Sequence, residues 1–185
     1  PKVHVEDVYV KPLVSKNMLE LEVTVQNNTE KKTDLQLQGK INEWVNLAGT
    51  DVNSAPVPAW KLGQEALKVA PVKVSIPANA STKVVLQVPV SGELSYWTPE
   101  QPNLYAVLLS LQAKKEILDM KYERFGWREW TLQGTTQYLN GKPYQLRGDS
   151  WHFMGIPQMT RRYAWAWFTA IKGMNANAVR PHAQI

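Results

Sequence analysis

Residues 138 to 152 read YLNGKPYQLRGDSWH, and this stretch separates two parts of the chain that differ in periodicity. Upstream of it hydrophobic residues alternate as in β-strands, and downstream the pattern is that of a strand, a helix and a second strand. The dipeptide Asn140-Gly141 predicts a type I′ hairpin turn, because both central residues of that turn need positive φ. Residues 146 to 148 then close an apolar, extended run. We therefore interpret the stretch as the junction between a β-domain and a second unit.

The composition is that of a globular protein, with 44% hydrophobic and 20% charged residues in a chain of 185. The absence of Cys excludes a disulfide framework, a zinc-thiolate site and a cysteine nucleophile. The chain begins at Pro1 without a basic-then-apolar leader and holds no run of 18 apolar residues, so neither a signal peptide nor a membrane partner is predicted. We expect a segment of a longer protein. Its compartment stays open, a periplasmic or secreted location being one hypothesis.

The formal net charge of +5 is concentrated in the last fifth of the chain. Residues 150 to 185 contain four basic side chains and no Asp or Glu, which gives +4 there and leaves +1 for residues 1 to 149. The four are Arg161, Arg162, Lys172 and Arg180. They are separated and interleaved with Trp and Ala, so they do not form a stripe that could follow a phosphate backbone. No nucleic-acid partner is predicted.

The first part of the chain reads as short strands separated by turn residues. A first strand of spaced valines is predicted to stop at Pro12. Residues 19 to 25 alternate strictly between Leu or Val and polar side chains, which is typical of a half-buried antiparallel strand. Asn27-Asn28 predicts the turn that follows it. Residues 46 to 65 are rich in Pro and Gly and predict a long loop.

About seven such strands with no helix among them predict an immunoglobulin-like β-sandwich over residues 1–127. Residues 106 to 112 are almost continuously apolar, as expected of a strand inside a sheet. Aromatic residues near the end of this part are interpreted as core and junction residues. They are Trp97, Tyr105, Phe125 and Trp127.

Residues 128–185 predict the junction hairpin and a βαβ segment. The first strand runs to His152, and Thr160 is placed to cap a helix that ends near Gly173. The predicted apolar stripe of that helix is Ala164, Trp165, Trp167, Phe168, Ile171 and Met174. Residues 177 to 180, NAVR, predict the second strand. A βαβ crossover belongs to a parallel sheet, and eight such units close a TIM barrel, so the expected fold class is mostly β, a sandwich followed by the first strands of an incomplete barrel.

Four short stretches of the chain occur in the same order as in a known protein family. They are WTPE at 97–100 continuing to LY at 104–105, FGWR at 125–128, LNGK at 139–142 continuing to RG at 147–148 and His152, and NAVR at 177–180. In them the chain resembles glycoside hydrolase family 2, the group of β-galactosidases, β-glucuronidases and β-mannosidases. In that family an immunoglobulin-like domain runs directly into a TIM barrel. The resemblance spans about half the chain by motif, and the remainder fits by strand pattern.

The resemblance implies four substrate-site residues. His152 would end the first barrel strand near the sugar, with Trp151 beside it, and Arg180 would orient the nucleophilic carboxylate. His182 resembles the histidine that follows this arginine in the family. The family's more usual spacing is three residues, whereas here Pro181 alone intervenes, and the residues around His152 also depart from the common pattern. The sugar preference is therefore not transferred.

Each of these residues has a plainer interpretation. His152 and His182 could be ordinary hydrogen-bonded histidines. The two histidines and Asp149 do not have the spacing of a ligand motif, so no metal and no cofactor is predicted. Tryptophans 151, 165 and 167 could stack on sugars, but helical spacing favours packing against a barrel for Trp165. An arginine ending an apolar strand, by contrast, needs an anionic partner, so Arg180 is the strongest candidate.

Two functions compete at this point. Retaining glycosidases use two carboxylates, and no carboxylate side chain follows Asp149. We therefore expect no catalytic residue in this chain, which would be a non-catalytic fragment of a retaining glycoside hydrolase whose full-length form acts on a carbohydrate. The alternative is a free-standing immunoglobulin-like module that binds carbohydrate or protein, as in adhesion. The apolar surface of an incomplete barrel segment also predicts self-association.

Overall fold

The computed structural model describes residues 1–48, 58–114, 116–151 and 160–181. Two antiparallel sheets pack face to face as a β-sandwich, one ordered β1-β2-β5 and the other β4-β3-β6-β7. A single 3-10 turn, Val14–Lys16, joins β1 to β2. The strands are β1 (Val3–Leu13), β2 (Met18–Asn27), β3 (Thr33–Asn46), β4 (Trp60–Ile76), β5 (Ala80–Pro89), β6 (Tyr105–Ala113) and β7 (Glu116–Phe125). Side chains from both sheets form one hydrophobic core.

Strand β2 is the centre of the smaller sheet and follows the predicted alternation. Its side chains alternate between buried and half-buried along the whole strand, and Leu19, Leu21, Val23 and Val25 are fully buried. Burying each such side chain contributes about 1.5–3 kcal/mol. In the larger sheet β6 lies between β3 and β7, which confirms that residues 106 to 112 form an internal strand.

Two predicted boundaries were wrong. Pro12 does not stop β1, which continues to Leu13 with Pro12 paired to Leu19. An edge strand tolerates the missing N–H because only one of its sides forms a ladder. The predicted loop 46–65 is shorter, because β4 begins at Trp60, directly opposite the end of β3. The indole of Trp60 stacks on that of Trp44 with ring centroids 3.9 Å apart, a contact that stabilises the extended hairpin and that strand periodicity does not reveal.

Asn27 closes the turn after β2 from inside the protein. The residue is fully buried. Its Nδ2 donates to the carbonyl oxygens of Lys31 (2.9 Å), Pro77 (3.0 Å) and Ile76 (3.3 Å). Its Oδ1 accepts from the N–H (3.0 Å) and the hydroxyl (2.7 Å) of Thr29. One side chain thus joins the turn between β2 and β3 to the end of β4.

A small third sheet follows the sandwich, formed by β8 (Trp130–Gln133), β9 (Thr136–Leu139) and β10 (Lys142–Pro143). Asn140 and Gly141 connect β9 to β10 with φ angles of 52° and 76°. Both angles are positive, as the predicted type I′ turn requires. The hairpin expected at the junction is therefore confirmed.

The C-terminal part contains β11 (Gly148–Trp151), α1 (Arg161–Gly173) and β12 (Ala178–Pro181). The two strands are parallel, as the βαβ pattern predicted. Thr160 is the N-cap, and its Oγ1 accepts from the N–H of Tyr163 at 3.2 Å, which confirms the predicted start of the helix. No helix within the described ranges is long and apolar enough to cross a membrane.

Candidate functional site

The parallel strands β11 and β12 carry the predicted site, and their register fixes which residues share a face. Ser150 lies opposite Arg180, and Gly148 lies opposite Ala178. Side chains alternate along a strand, so these four residues point to one side of the pair. A cavity of about 520 Å³ opens on this side, and Arg180 lines it, whereas no residue of α1 does. Arg180 is thus presented on an open face away from the helix.

The opposite side of the pair faces α1. A cavity of about 590 Å³ lies between the helix and the strands, and Arg180 does not line it. The residues of the helix and its C-cap that line it are Tyr163, Trp167, Ile171 and Met174. Trp165, predicted to pack against a barrel, is 51% exposed and lines none of the cavities found in the described part of the chain. Trp167, Ile171 and Met174 of the predicted stripe therefore line the space between helix and strands, whereas Trp165 does not.

Of the four predicted substrate-site residues, Arg180 is the one whose side chain is described. It is exposed, and no hydrogen bond or ion pair links it to a carboxylate within the described residues. Trp151 is the last residue of β11 and pairs with Pro181, but its side chain lies outside the described part, as do His152 and His182. Their roles remain predictions. No cluster of His, Asp and Glu that could hold a metal ion occurs among the residues described.

Asn177, which precedes β12, holds the start of the parallel pair, a role that sequence reasoning missed. Its Oδ1 accepts from the N–H of Arg147 at 2.8 Å, and its Nδ2 donates to the carbonyl of Gln145 at 3.0 Å. Its own N–H donates to the carbonyl of Arg147 at 2.8 Å. The available signal was the asparagine of NAVR, a polar residue that directly precedes an apolar strand.

Gly148 permits the close approach of the two strands. A Cβ at this position would collide with the carbonyl oxygen of Ala178 on the neighbouring strand. The obstacle is backbone, which cannot move aside as a flexible side chain can. The glycine of the RG dipeptide at 147–148 is therefore needed for space between β11 and β12.

A third cavity, of about 790 Å³, lies between the sandwich, the segment before β11 and the end of α1. The hydroxyl of Tyr144 is buried there, and no described residue lies within hydrogen-bond geometry of it. Burial raises the pKa of Tyr144 and the nearby Glu100 carboxylate adds to the rise, while Arg147 and the Asn177 side chain oppose it. The Tyr144 phenol is therefore held neutral.

The junction itself is tied to the sandwich around Trp97. The guanidinium of Arg128 lies over the Trp97 ring, 4.1 Å from its centroid, and Gly126 packs beneath the same indole. The Asn140 side chain accepts from the N–H of Glu129 at 2.9 Å and donates to the carbonyl of Trp97 at 3.1 Å. The junction hairpin is therefore attached to the sandwich by side-chain contacts as well as by the covalent backbone.

The other aromatic residues of the motif stretches lie in the core, as predicted. Tyr105, Phe125 and Trp127 are buried, and the rings of the first two lie 5.9 Å apart. At the start of α1, Arg161 donates to the carbonyl of Ala48 at 3.0 Å, two residues after the end of β3. The helix thus contacts the sandwich directly.

These features define a class of chain in which a β-sandwich continues through a hairpin sheet into a parallel βαβ unit. The family model described as Glycosyl hydrolases family 2 matches residues 3–128. The chain belongs to family 2 of the glycosyl hydrolases, and the resemblance found in its four sequence stretches is confirmed.

Relatives with described activities agree with this assignment. A putative beta-glucuronidase of Formosa agariphila is 28% identical over 186 residues, which cover 97% of this chain and 20% of the relative. Another putative beta-glucuronidase of that organism is 32% identical over 56% of this chain and 10% of its own length. A beta-galactosidase of Thermoanaerobacter pseudethanolicus is 27% identical over 61% of this chain and 15% of its own length. The chain therefore spans at most about a fifth of the length of these relatives.

Solved structures share the fold over the whole chain. A family 2 beta-galacturonidase from Eisenbergiella tayi, bound to galacturonate, superposes with a TM-score of 0.74 at 17% identity, covering 100% of this chain and 30% of that one. A beta-glucuronidase from Bacteroides uniformis gives a TM-score of 0.65 at 23% identity, covering 99% of this chain and 22% of that one. At such identities the likeness concerns the fold alone.

Proposed function

We propose that this chain is the immunoglobulin-like domain and the beginning of the catalytic barrel of a retaining glycoside hydrolase. The observation that carries the proposal is the parallel β11–α1–β12 unit that directly follows the sandwich and presents Arg180 at the end of β12. In (β/α)8 enzymes the C-terminal ends of the strands carry the chemistry. Family membership supports the same reaction class.

The proposed boundaries are residues 1–127 for the immunoglobulin-like domain and 128–185 for the junction hairpin and barrel start. The seven sandwich strands, divided three and four between the sheets, support the first unit. The parallel pairing of β11 with β12 supports the second, because parallel strands joined by a helix are the repeating unit of such a barrel. Superposition of solved family 2 structures over the whole chain is consistent with both.

The proposed chemistry assigns orienting roles, not catalysis, to the residues of this chain. Retaining glycosidases place two carboxylates about 5–5.5 Å apart, one acting as acid/base and the other as nucleophile. Residues after Asp149 supply none, so we expect both to come from later barrel strands. Arg180 would hold the nucleophile ionised and oriented through a charge-assisted hydrogen bond.

The remaining three predicted residues would complete the sugar side of the site. We propose that His152 and His182 hydrogen-bond to the sugar and that Trp151 lies at its edge, on a β-linked hexose or uronic acid. The names of the relatives, beta-glucuronidase, beta-galactosidase and beta-galacturonidase, support this substrate class. The proposed partner of the full-length enzyme is thus a carbohydrate, and no nucleic-acid or membrane partner is proposed.

The test compares two purified polypeptides from the same gene, residues 1–185 and the longest reading frame that contains them. We expect the longer one to hydrolyse a chromogenic galactoside, glucuronide or mannoside and the shorter one to release no more chromophore than buffer. In the longer polypeptide Arg180→Ala is expected to lower kcat by about 100-fold or more. The matched control is Arg162→Ala, which removes an exposed arginine from the first turn of α1 and is expected to leave kcat unchanged.

Two results would contradict the proposal. Turnover by the pure 185-residue chain would mean that later carboxylates are not needed. A stop codon after Ile185 in the natural gene would remove the enzyme altogether. The alternative, a free-standing binding module, is not favoured by the family match. Calorimetric titration of the chain with simple sugars tests it, and we expect no measurable heat.

A further inference from the structure

We propose that Asn177 is a positioning residue that sets the register of β12 against β11 and thereby places Arg180. The inference rests on the proposed function for its catalytic consequence, but its structural part can be tested without it. The need for such a residue arises from the small size of the pair. Four residue pairs join β11 to β12, and two short strands alone are marginally stable.

The Asn177 side chain supplies hydrogen bonds that additional residue pairs would provide in a longer strand pair. Its amide carries a donor and an acceptor on one planar group, as a peptide unit does, and uses both on the segment before β11, at Gln145 and Arg147. The backbone N–H of Asn177 adds a third bond to Arg147. We call these three hydrogen bonds the Asn177 clamp. They join the two segments just before the first regular residue pair, Gly148 with Ala178.

The side-chain chemistry required here is specific. Aspartate keeps the acceptor for Arg147 but loses the donor for the Gln145 carbonyl and places a carboxylate against it. Alanine loses both contacts, and glutamine is one methylene too long to make both from the same backbone position. The clamp is therefore expected to depend on asparagine itself and not merely on a polar residue.

Register decides where Arg180 points. A slip of one residue moves every side chain of a strand to the opposite face. In the observed register Arg180 shares the open face with Ser150, and a slipped β12 would turn the guanidinium toward α1. No hydrogen bond or ion pair with the described residues holds the guanidinium in place, so its location follows from the backbone that Asn177 fixes.

The structural test uses amide hydrogen exchange on the 185-residue chain. Asn177→Ala and Asn177→Asp are expected to speed exchange at Asp149, Ser150 and Val179 by about 10- to 100-fold, the effect of losing two hydrogen bonds locally. Exchange in β2 should not change. The control is Asn103→Ala, which removes an amide that donates to the Tyr96 carbonyl on the sandwich side. It is expected to leave β11 and β12 as they are in the unaltered protein.

The catalytic test uses the longer polypeptide. Asn177→Ala is expected to lower kcat at least 10-fold with KM changed less than threefold, and Arg180→Ala should lose no further activity when Asn177→Ala is added. Additive losses in the double variant would overturn the positioning role, because they would mean that the two side chains act separately. Unchanged exchange at β11 and β12 in both Asn177 variants would overturn the clamp itself. An inactive longer polypeptide would refute the proposed function while the exchange result still decides the clamp.

Discussion

The buried amide of Asn27 offers a strict test of the sandwich, through the substitution Asn27→Asp. The change is nearly isosteric, yet it replaces the Nδ2 donor with an oxygen that faces the carbonyls of Lys31, Ile76 and Pro77. Four of the six hydrogen bonds of the Asn27 side chain are 3.0 Å or shorter. At about 1 kcal/mol for each hydrogen bond, truncation to Ala should cost about 4 kcal/mol of unfolding free energy.

At neutral pH, Asn27→Asp should lower the free energy of unfolding by at least as much as truncation to Ala, and in acid by less. A buried carboxyl that faces carbonyl oxygens favours its protonated form, so its folded pKa rises above the value of about 3.9 in the unfolded chain. Between the two pKa values the folded state holds a proton that the unfolded state has released. The loss of unfolding free energy in the variant is therefore smallest below about pH 4, and it grows with pH until the pH passes the pKa of the folded state. A loss of about 4–5 kcal/mol is a large part of a typical domain's 5–15 kcal/mol.

Urea unfolding at pH 4.5 and pH 8 measures the difference between the variant and the unaltered protein. The control is Asn28→Asp, which alters the exposed neighbouring residue and should change the free energy of unfolding by less than about 0.5 kcal/mol. A deficit below about 1 kcal/mol at pH 8 for Asn27→Asp would refute the reasoning. So would a deficit that does not shrink at pH 4.5, because the carboxylate would then not be the cause.

Three further predictions concern the C-terminal part. Gly148→Ala should push β11 from β12 and speed amide exchange in residues 148–151. Gly173→Ala should not, because there is open space around its new methyl group. Equal exchange in both variants would contradict the packing argument. Tyr144→Phe should change the free energy of unfolding at pH 7 by less than about 0.5 kcal/mol, because the hydroxyl makes no hydrogen bond with the described residues. Above about pH 10 the same variant should be more stable than the unaltered protein, since the raised pKa keeps the folded phenol neutral while the unfolded one ionises; urea midpoints that move in parallel with pH would disprove this. We also propose that the exposed Trp165 and Phe168 drive self-association of the chain. The double variant with Gln at both positions should sediment as a monomer at concentrations where the unaltered chain does not. A strictly monomeric unaltered chain would contradict this.

Much of the sandwich could be predicted because local pattern and tertiary burial agree. The alternation of residues 19 to 25 allows one face only to be buried, and the structure buries that face completely. The Asn140-Gly141 turn was predictable for a similar reason, because few residue pairs accept two positive φ angles. Thr160 marked the start of the helix by its capping chemistry, and Gly173 marked its end, although the C-cap is Met174 and the left-handed residue is Asn175.

The errors arise where a contact distant in sequence overrides the local signal. Proline and glycine suggested a loop from 46 to 65, but stacking of Trp60 on Trp44 extends both strands into that region. The predicted helix stripe was too broad, because Trp165 and Trp167 both fitted it and only Trp167 lines the cavity between helix and strands. Asn177 was missed because its partners lie about 30 residues away, and a single asparagine before a strand has no periodicity to reveal it.

The stacked indoles of Trp44 and Trp60 have a spectroscopic consequence. Two stacked chromophores 3.9 Å apart couple their electronic transitions, and the coupled pair becomes optically active because the twist of paired strands skews the two indoles relative to each other. The folded chain should therefore show an exciton couplet in its circular dichroism that disappears when either indole is replaced by leucine. Since the two rings come from opposite strands, the couplet reports the closure of the β3–β4 hairpin separately from the rest of the fold. The protein thus contains an optical probe of this region that needs no label.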